Sequence, residues 1–566
     1  MQLSLFVTYA HASPVVVELM GLEGALERNA LAHLSINNAD TQLLSATRIK
    51  FLHSKASHEI QKALEPFGYY NVEISSELQQ APDTTLARYR VTLGPQTLIH
   101  EVQLHISGDG DLDPAFRALT IEPGITPGDP LRHARYNKVK QRLQSIAAER
   151  GYYDAKWNQQ QIIVNREQHQ ADIALHLDSG PRYRYREFRF SPTELNPDFL
   201  SRYITSEPGD PVFIRDLQQL QTRLNNSDYF QRVEVHPNWE ERAAGDVPID
   251  IELEMRQRTR YRAGVGFDTD TRSRLTAGMT RRWVNDKGHN FDALVQPGEL
   301  RTDASFQYNI PGVHPEYEQY SLRSAYRREV IDPIDSETFA SGISWQSKWY
   351  DWVQVIGIDI ERESFDFDAT RQRSHYLLPR ISWSRTVSDN RVDVSQGYRI
   401  KLELLGATDA WYSDSTFLQG RIAMKGVYSL TPAWRLLARS ELGATINNDV
   451  NQLPASKRFF AGGDNSVRGY SYKSIAPENE SGNVEGGQGL AVFSLETDYR
   501  LSGNWRAALF VDHGAAINSL DSPLSTGVGS GLRWQSPIGP VRLDLAWALS
   551  KDDTPWRLHF SIGPDL

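Results

Sequence analysis

Cysteine is absent from all 566 residues, which excludes disulfides, thiolate metal sites, iron–sulfur clusters and cysteine nucleophiles together. Long hydrophobic runs are missing too. No stretch approaches the roughly 18 apolar residues that a transmembrane helix needs, and mean hydropathy is −0.50. A helical membrane protein is excluded; a β-barrel is not, because its strands are apolar on one face only and score as soluble. Positive charge is not in excess. Lys and Arg number 61 against 71 Asp and Glu, for a net charge of −10. This argues against a nucleic-acid partner, which would normally meet a basic face or stripe. Enzyme signatures fail as well. No G-x-S-x-G elbow occurs, and Gly527-Val528-Gly529-Ser530-Gly531 reads as strand without βα context. His100-Glu101 followed by His105 is not H-E-x-x-H, and a separation of five on a strand puts the two histidines on opposite faces. No enzyme, metal or cofactor is expected.

The length implies three or four domains. At the start, Leu3 to Val7 is a short apolar stretch followed by Ala10-His11-Ala12. This reads as a residual signal sequence over residues 1–13. Tryptophan then divides the chain: of 13, only Trp157 and Trp239 precede residue 261. A tryptophan-rich second half with short alternating segments fits an outer-membrane barrel with aromatic girdles; a soluble β-sandwich or propeller fits composition equally.

The first half repeats. Pro127-Gly128-Asp129-Pro130 recurs as Pro208-Gly209-Asp210-Pro211, and each is expected to open a helix, Asp capping and Pro in the first turn. Tyr136, Val139, Leu143 and Ile146 in one copy, and Phe213, Leu217, Leu220 and Leu224 in the other, keep helical spacing. Aromatic couplets follow the helices: Tyr69-Tyr70, Tyr152-Tyr153 and Tyr229-Phe230. Three copies of about 80 residues, reading strand, helix, helix, strand, strand, are self-contained α+β modules. Their expected bounds are 14–94, 95–180 and 181–258.

From 259 to 566 the alternation parses into sixteen strands, among them Tyr261–Asp268, Tyr317–Arg327, Val353–Glu361 and Val541–Leu549. An even count suits a bacterial antiparallel barrel. One connection, about 446–488, is too long to be filler. It contains Arg458-Phe459-Phe460-Ala461-Gly462-Gly463-Asp464-Asn465-Ser466-Val467-Arg468-Gly469-Tyr470.

Three such modules and this thirteen-residue stretch resemble the POTRA-containing outer-membrane assembly family, over essentially residues 14 to 566. The resemblance implies a 16-stranded transmembrane barrel behind three periplasmic modules. It also implies a long loop folded into the lumen, its motif being Gly462, Gly463, Asp464, Val467, Arg468, Gly469 and Tyr470. Phe510-Val511-Asp512-His513-Gly514 matches the family's Phe-x-Asp-x-Gly strand motif. Strand parity adds a physical reason. Ala491, Phe493, Leu495 and Tyr499 share one parity and must face lipid, which turns Glu496 inward. By the same count Ala507, Leu509 and Val511 send Phe510 and Asp512 inward. Arg468 then has Glu496, Phe510, Asp512 and Gly514 as lumen partners, its planar fork bridging the two carboxylates in a watery lumen. Arg256, Arg258, Arg260 and Arg262 read as solvated charges where module three meets the barrel.

Module number separates branches of the family: central barrel-assembly proteins usually carry five and two-partner-secretion transporters two. Three modules followed by Ser471-Tyr472-Lys473-Ser474-Ile475-Ala476-Pro477 are most similar to the translocation-and-assembly-module branch. That resemblance implies a non-enzymatic factor in a Gram-negative outer membrane, inserting β-barrel or autotransporter clients with an inner-membrane-anchored, TamB-like partner at the modules. A two-partner-type secretion pore is the alternative. The working edge is expected where the first and last strands meet, at Gly264, Gly266, Trp556, Leu558, Phe560, Ile562 and Gly563. The two inner glycines weaken pairing, and Pro555 and Pro564 cut the last strand short.

Overall fold

The computed structural model describes residues 15–39, 45–81, 84–243, 245–331, 334–367, 370–390, 393–447, 452–480, 482–536 and 539–562. The expected signal segment and Gly563 lie outside them.

Three small sheets come first. The first holds β1 (Val15–Met20), β2 (Glu73–Gln80) and β3 (Thr85–Thr92) in the order β1-β3-β2, with β1 parallel to β3. Its helix α1 (Gly24–His33) precedes a short α2 (Ser35–Asn38) and the 19-residue α3 (Ala46–Leu64). Ser45 caps α3 by accepting the Arg48 N–H, and Ile49, Leu52, Ala56, Ile60, Ala63 and Leu64 form its buried stripe. The second sheet is β4 (Leu98–Ser107), β6 (Gln170–Asp178) and β5 (Lys156–Asn165), in that order. Between β4 and β5 lie α4 (Pro114–Ile121) and α5 (His133–Glu149). Asp113 caps α4 through the Ala115 N–H and its buried carboxylate also accepts from Arg150 Nε and Tyr152 Oη, at 2.9 and 3.0 Å. The third sheet orders β7 (Arg184–Phe190), β9 (Asp246–Met255) and β8 (Phe230–Pro237), with α6 (Pro197–Leu200) and α7 (Ile214–Asn226) between β7 and β8.

Two expectations change here. Pro130 and Pro211 lie outside the helices, which begin at His133 and Ile214. Asp129 and Asp210 accept from the N–H of Thr126 and Glu207 three residues back, closing a turn instead of capping a helix. The prolines bridge back to Leu98 and Arg184 at the start of their module's first strand. The two β4 histidines also lie otherwise than their spacing implies. A one-residue bulge between Ile99 and Glu101 shifts parity in β4. His100 therefore bonds Asp172 while His105 meets His176 edge to face, and Asp172 and His176 share one face of β6. The two β4 histidines lie on the same face.

Sixteen antiparallel strands follow, from β10 (Thr259–Asp268) to β25 (Trp556–Ile562), each paired to the next. The chain divides into two compact units. One comprises 1–189, 206–219 and 235–251, the other 190–205, 220–234 and the barrel. In the second unit the barrel's first turn on the module side, between β11 (Arg272–Arg281) and β12 (Asn290–Gln296), is built against module residues. Tyr229 Oη donates to Gly288 O at 2.6 Å, Asn196 N to Asp286 O at 2.8 Å, and Arg282 Nε to Asp228 at 3.1 Å. Gly288 has φ +73°, and a Cβ there would lie 2.3 Å from the Phe199 ring, so only glycine fits the turn. Arg256 and Arg258 keep contact with solvent, as expected of charges, but are also bonded: Arg256 Nε donates to Phe230 O, and Arg258 to Trp283 O and Val284 O. They satisfy carbonyls left over where strand pairing stops.

Candidate functional site

Between β20 (Trp434–Asn447) and β21 (Gly489–Ser502) the long loop folds back on itself. Phe459 and Gly487 exchange backbone bonds at 2.9 and 2.8 Å, and Ala461 and Ile475 at 3.0 and 2.9 Å. The tip turns sharply at Gly462 and Gly463, at φ +101° and +105°. A Cβ on Gly462 would meet Ser471 O at 2.4 Å. Val467 and Tyr470 then pack with Phe459, Ala461, Leu490, Val492, Ala516 and Ala548. That apolar cluster fixes the tip against the inner wall.

Arg468 projects from this tip onto β21, β22 (Trp505–Ile517) and β24 (Gly539–Ala548). Its Nε and Nη2 donate to Asp512 at 2.7 and 2.9 Å, and its backbone N–H to the same carboxylate at 3.0 Å. Nη1 donates to Glu496 at 2.8 Å and to Asp544 at 3.1 Å. The guanidinium lies 3.3 Å above the centre of the Phe510 ring, a cation–π stack. A Cβ on Gly529 would come within 2.4 Å of that ring. Arg533, on β23 (Ser525–Ser536), engages both Glu496 and Asp544. Arg439 Nη2 donates to Ser466 O and approaches Asp512 at 3.9 Å. Three guanidiniums thus contact three carboxylates, and a fourth, Arg542 on the strand of Asp544, borders the same cluster.

The fold brings together Arg468, Glu496, Phe510 and Asp512. Gly514 is not a contact of Arg468; it faces Ala491 and Val492, where a Cβ would come within 2.4 Å of a carbonyl. The surroundings are also drier than expected. Arg468 is 4 % exposed and Asp512 0 %, because the loop itself fills this part of the lumen. Asp544, Arg533 and Arg439 were missed. Their signal was available: Leu543 and Leu545 face outward by parity, which turns Asp544 inward just as Val511 does Asp512.

A second set of contacts ties the same tip to both ends of the sheet. Gly469 N–H donates to His559 Nε2 at 2.8 Å, and His559 Nδ1 meets Asp464 Oδ1 at 2.5 Å. Since Nε2 accepts, Nδ1 carries the proton and the ring is neutral. Asp464 also accepts from Thr269 Oγ1 at 2.8 Å and gives its N–H to Asp270 at 2.8 Å. Thr269 and Asp270 form the turn after β10, and His559 lies on β25. Among the described residues these two strands share no ladder; Thr269 and Phe560 alone exchange bonds, as Thr269 N–H to Phe560 O at 3.3 Å and Phe560 N–H to Thr269 Oγ1 at 2.9 Å. Trp556, Leu558 and Ile562 are exposed outward, and Phe560 leans on Phe267 at 6.3 Å between ring centres. Gly264 and Gly266 do not interrupt pairing on their other side, where β10 runs in register with β11 (Arg272–Arg281) over its whole length.

The profile of the Omp85 superfamily domain matches residues 251–565. The chain belongs to the Omp85 superfamily. The profile described as POTRA domain TamA domain 1 matches residues 16–93. The outer membrane protein assembly factor BamA of Nitratidesulfovibrio vulgaris is 30% identical over 162 residues, covering 26% of this chain and 20% of that protein. The chloroplastic outer envelope protein 80 of Arabidopsis thaliana is 31% identical over 126 residues, 20% of this chain and 16% of that protein. These matches span a fifth or less of either relative's length. BamA of Neisseria meningitidis is 20% identical over 97% of this chain and 77% of its own. Among solved structures, BamA of Haemophilus ducreyi lacking POTRA domains 1–3 superposes with a TM-score of 0.68 at 18% identity, over 81% of this chain and 98% of that one. This superposition concerns the fold: POTRA modules ahead of a 16-stranded, nearly closed antiparallel barrel.

Proposed function

We propose that this chain is an outer-membrane assembly factor that inserts or translocates β-barrel or autotransporter clients, with its modules in the periplasm. In this reading an inner-membrane-anchored partner of the TamB type meets those modules. The TamA-type profile over the first module supports that branch over the two-partner secretion pore.

The observation that carries the proposal is the seam. Among the described residues every other adjacent strand pair is joined by a ladder, whereas β10 and β25 have no ladder between them and meet only through the Thr269–Phe560 exchange beyond the end of β10 and the Phe267–Phe560 ring contact beside it. Each unpaired backbone group in lipid costs several kcal/mol, so an empty seam does not gape. An incoming client strand would satisfy the free edges as it separates them.

The absence of cysteine makes the test clean. Cysteine pairs scanned across 262–267 and 556–562 will lock the seam on oxidation. Client assembly will stop and recover on reduction. Assembly at the normal rate through a locked seam would overturn the proposal.

A further inference from the structure

On the lipid-facing side, opposite in character to the loop site, lies a cleft of about 400 Å³ bordered by Tyr326, Phe339, Arg362, Arg373, His375 and Tyr412, with one outward carboxylate, Glu337, beside Ser364. It spans β14 (Gln319–Ile331), β15 (Ile334–Trp349), β16 (Trp352–Phe367) and β17 (Thr370–Ser388). Register places Tyr326, Phe339, Arg362 and His375 side by side across these strands. Below Arg362 on the same outward parity run Ile360, Ile358 and Ile356, all exposed.

Height fixes what this cleft meets. β16 rises from Trp349, Tyr350 and Trp352, at the periplasmic turn, to Arg362 ten residues beyond Trp352. At roughly 3.4 Å per residue and a tilt of about 40°, that is about 26 Å, the height of the apolar band. Arg362 therefore stands at the upper edge of the hydrocarbon, level with the headgroups of the outer leaflet. Arg373 is its diagonal neighbour one rung higher, since it pairs with Ser364.

Charge accounting isolates these two arginines. Arg328 is held by Asp335, Arg371 faces Glu337 and Asp366, and His375 meets Asp414. Among the described residues neither Arg362 nor Arg373 is paired with a carboxylate. Arg362 Nη2 donates only to Tyr412 Oη, at 3.1 Å, leaving the Tyr412 hydroxyl proton free. An arginine turned toward lipid is unfavourable, least so near the interface.

We infer that Arg362, Arg373 and Tyr412 bind the phosphate monoester of an outer-leaflet lipid headgroup. Two planar forks and a hydroxyl offer donors for three oxygens. A monoester has three terminal oxygens and close to two charges; the diester of an ordinary phospholipid has two oxygens and one charge. The site opens sideways to acyl chains, which selects a lipid over a free anion.

Full-length protein is placed in phosphatidylcholine nanodiscs doped with lipid A or with phosphatidylglycerol, and retained lipid is counted by native mass spectrometry. Wild type will retain lipid A in preference to phosphatidylglycerol. R362Q/R373Q will bind it about tenfold more weakly, the loss of a charge-assisted bond. R362K/R373K, which keeps charge without the fork, will fall between, and R328Q will match wild type. Heat-modified gel mobility confirms that each variant is folded. Equal retention by R362Q/R373Q, equal retention of phosphatidylglycerol, or displacement by inorganic phosphate would each overturn the inference.

Discussion

The loop tip is attached to the barrel in two ways that differ in their chemistry. Toward the wall, Arg468 reaches three carboxylates on three strands, with Arg533, Arg439 and Arg542 beside them, so that every carboxylate has a cation. Toward the seam, Asp464 faces a second carboxylate, Asp270, and only a neutral histidine and a threonine share the load. Opposite charges that are fully paired form a lasting anchor. Two carboxylates brought together form a contact that depends on a proton. The loop is thus tied firmly where the wall is laddered and conditionally where it is not.

Removing Arg468 will have the largest effect. Arg468→Ala leaves Asp512, Glu496 and Asp544 close together with one fewer cation, and breaking a buried pair costs about 3–5 kcal/mol. Thermal unfolding, read by gel mobility, will move sharply downward, and the loop around 452–480 will become protease-sensitive. Arg468→Lys will recover part of the loss, because an ammonium supplies charge without the fork. Unchanged melting in Arg468→Ala would remove the distinction between the two attachments.

Gly469 joins the two. Its φ is +94°, and a Cβ would lie 2.9 Å from the Trp547 carbonyl carbon and 3.0 Å from Ala548 N. Gly469→Ala will therefore shift the tip away from β24 and weaken the Gly469-to-His559 bond, at about 1–3 kcal/mol for the strained backbone. Seam and wall contacts will loosen together, which protease cleavage within the loop will report. An alanine variant with wild-type protection would separate the two attachments.

How much of this could be read from the sequence follows from periodicity. In a lipid-facing barrel one parity is obliged to be apolar, so Phe493 and Leu495 place Glu496, and Leu509 and Val511 place Asp512. That rule is local and strong. It applied equally to Asp544 and to His559, which lies between Leu558 and Phe560; their roles depend on where a forty-residue loop ends up, and no local pattern encodes that. The modules show the complementary failure. Helical spacing in Tyr136, Val139, Leu143 and Ile146 marked a buried face correctly. The role of Asp129 and the faces of His100 and His105 turned on a tight turn and a bulge, each involving one residue. The dry setting of Arg468 was hidden because burial there comes from the loop and not from the strands.

The smallest expected effect is the most diagnostic of the seam. Asp270 lies in the turn between β10 and β11, outside the strands. Burial pushes its carboxyl up to about 8, with the Asp464 carboxylate and then Asp268 adding to the rise. Its value in the unfolded chain is about 3.9, so the folded form holds a proton that the unfolded form releases. The contribution is complete below about pH 4 and is lost as pH rises through about 8. The turn is partly exposed, so the change amounts to about 1 kcal/mol or less. Wild-type protein will show falling protection of the loop tip between pH 5 and pH 9 in hydrogen exchange. Asp270→Asn, which keeps the shape and removes the charge, will be flat over that range and better protected than wild type at pH 9. The Arg468 contacts, whose charges are already paired, will show no such slope in the same experiment. A slope of the opposite sign, or one that survives in Asp270→Asn, would show that the seam contact does not depend on this proton.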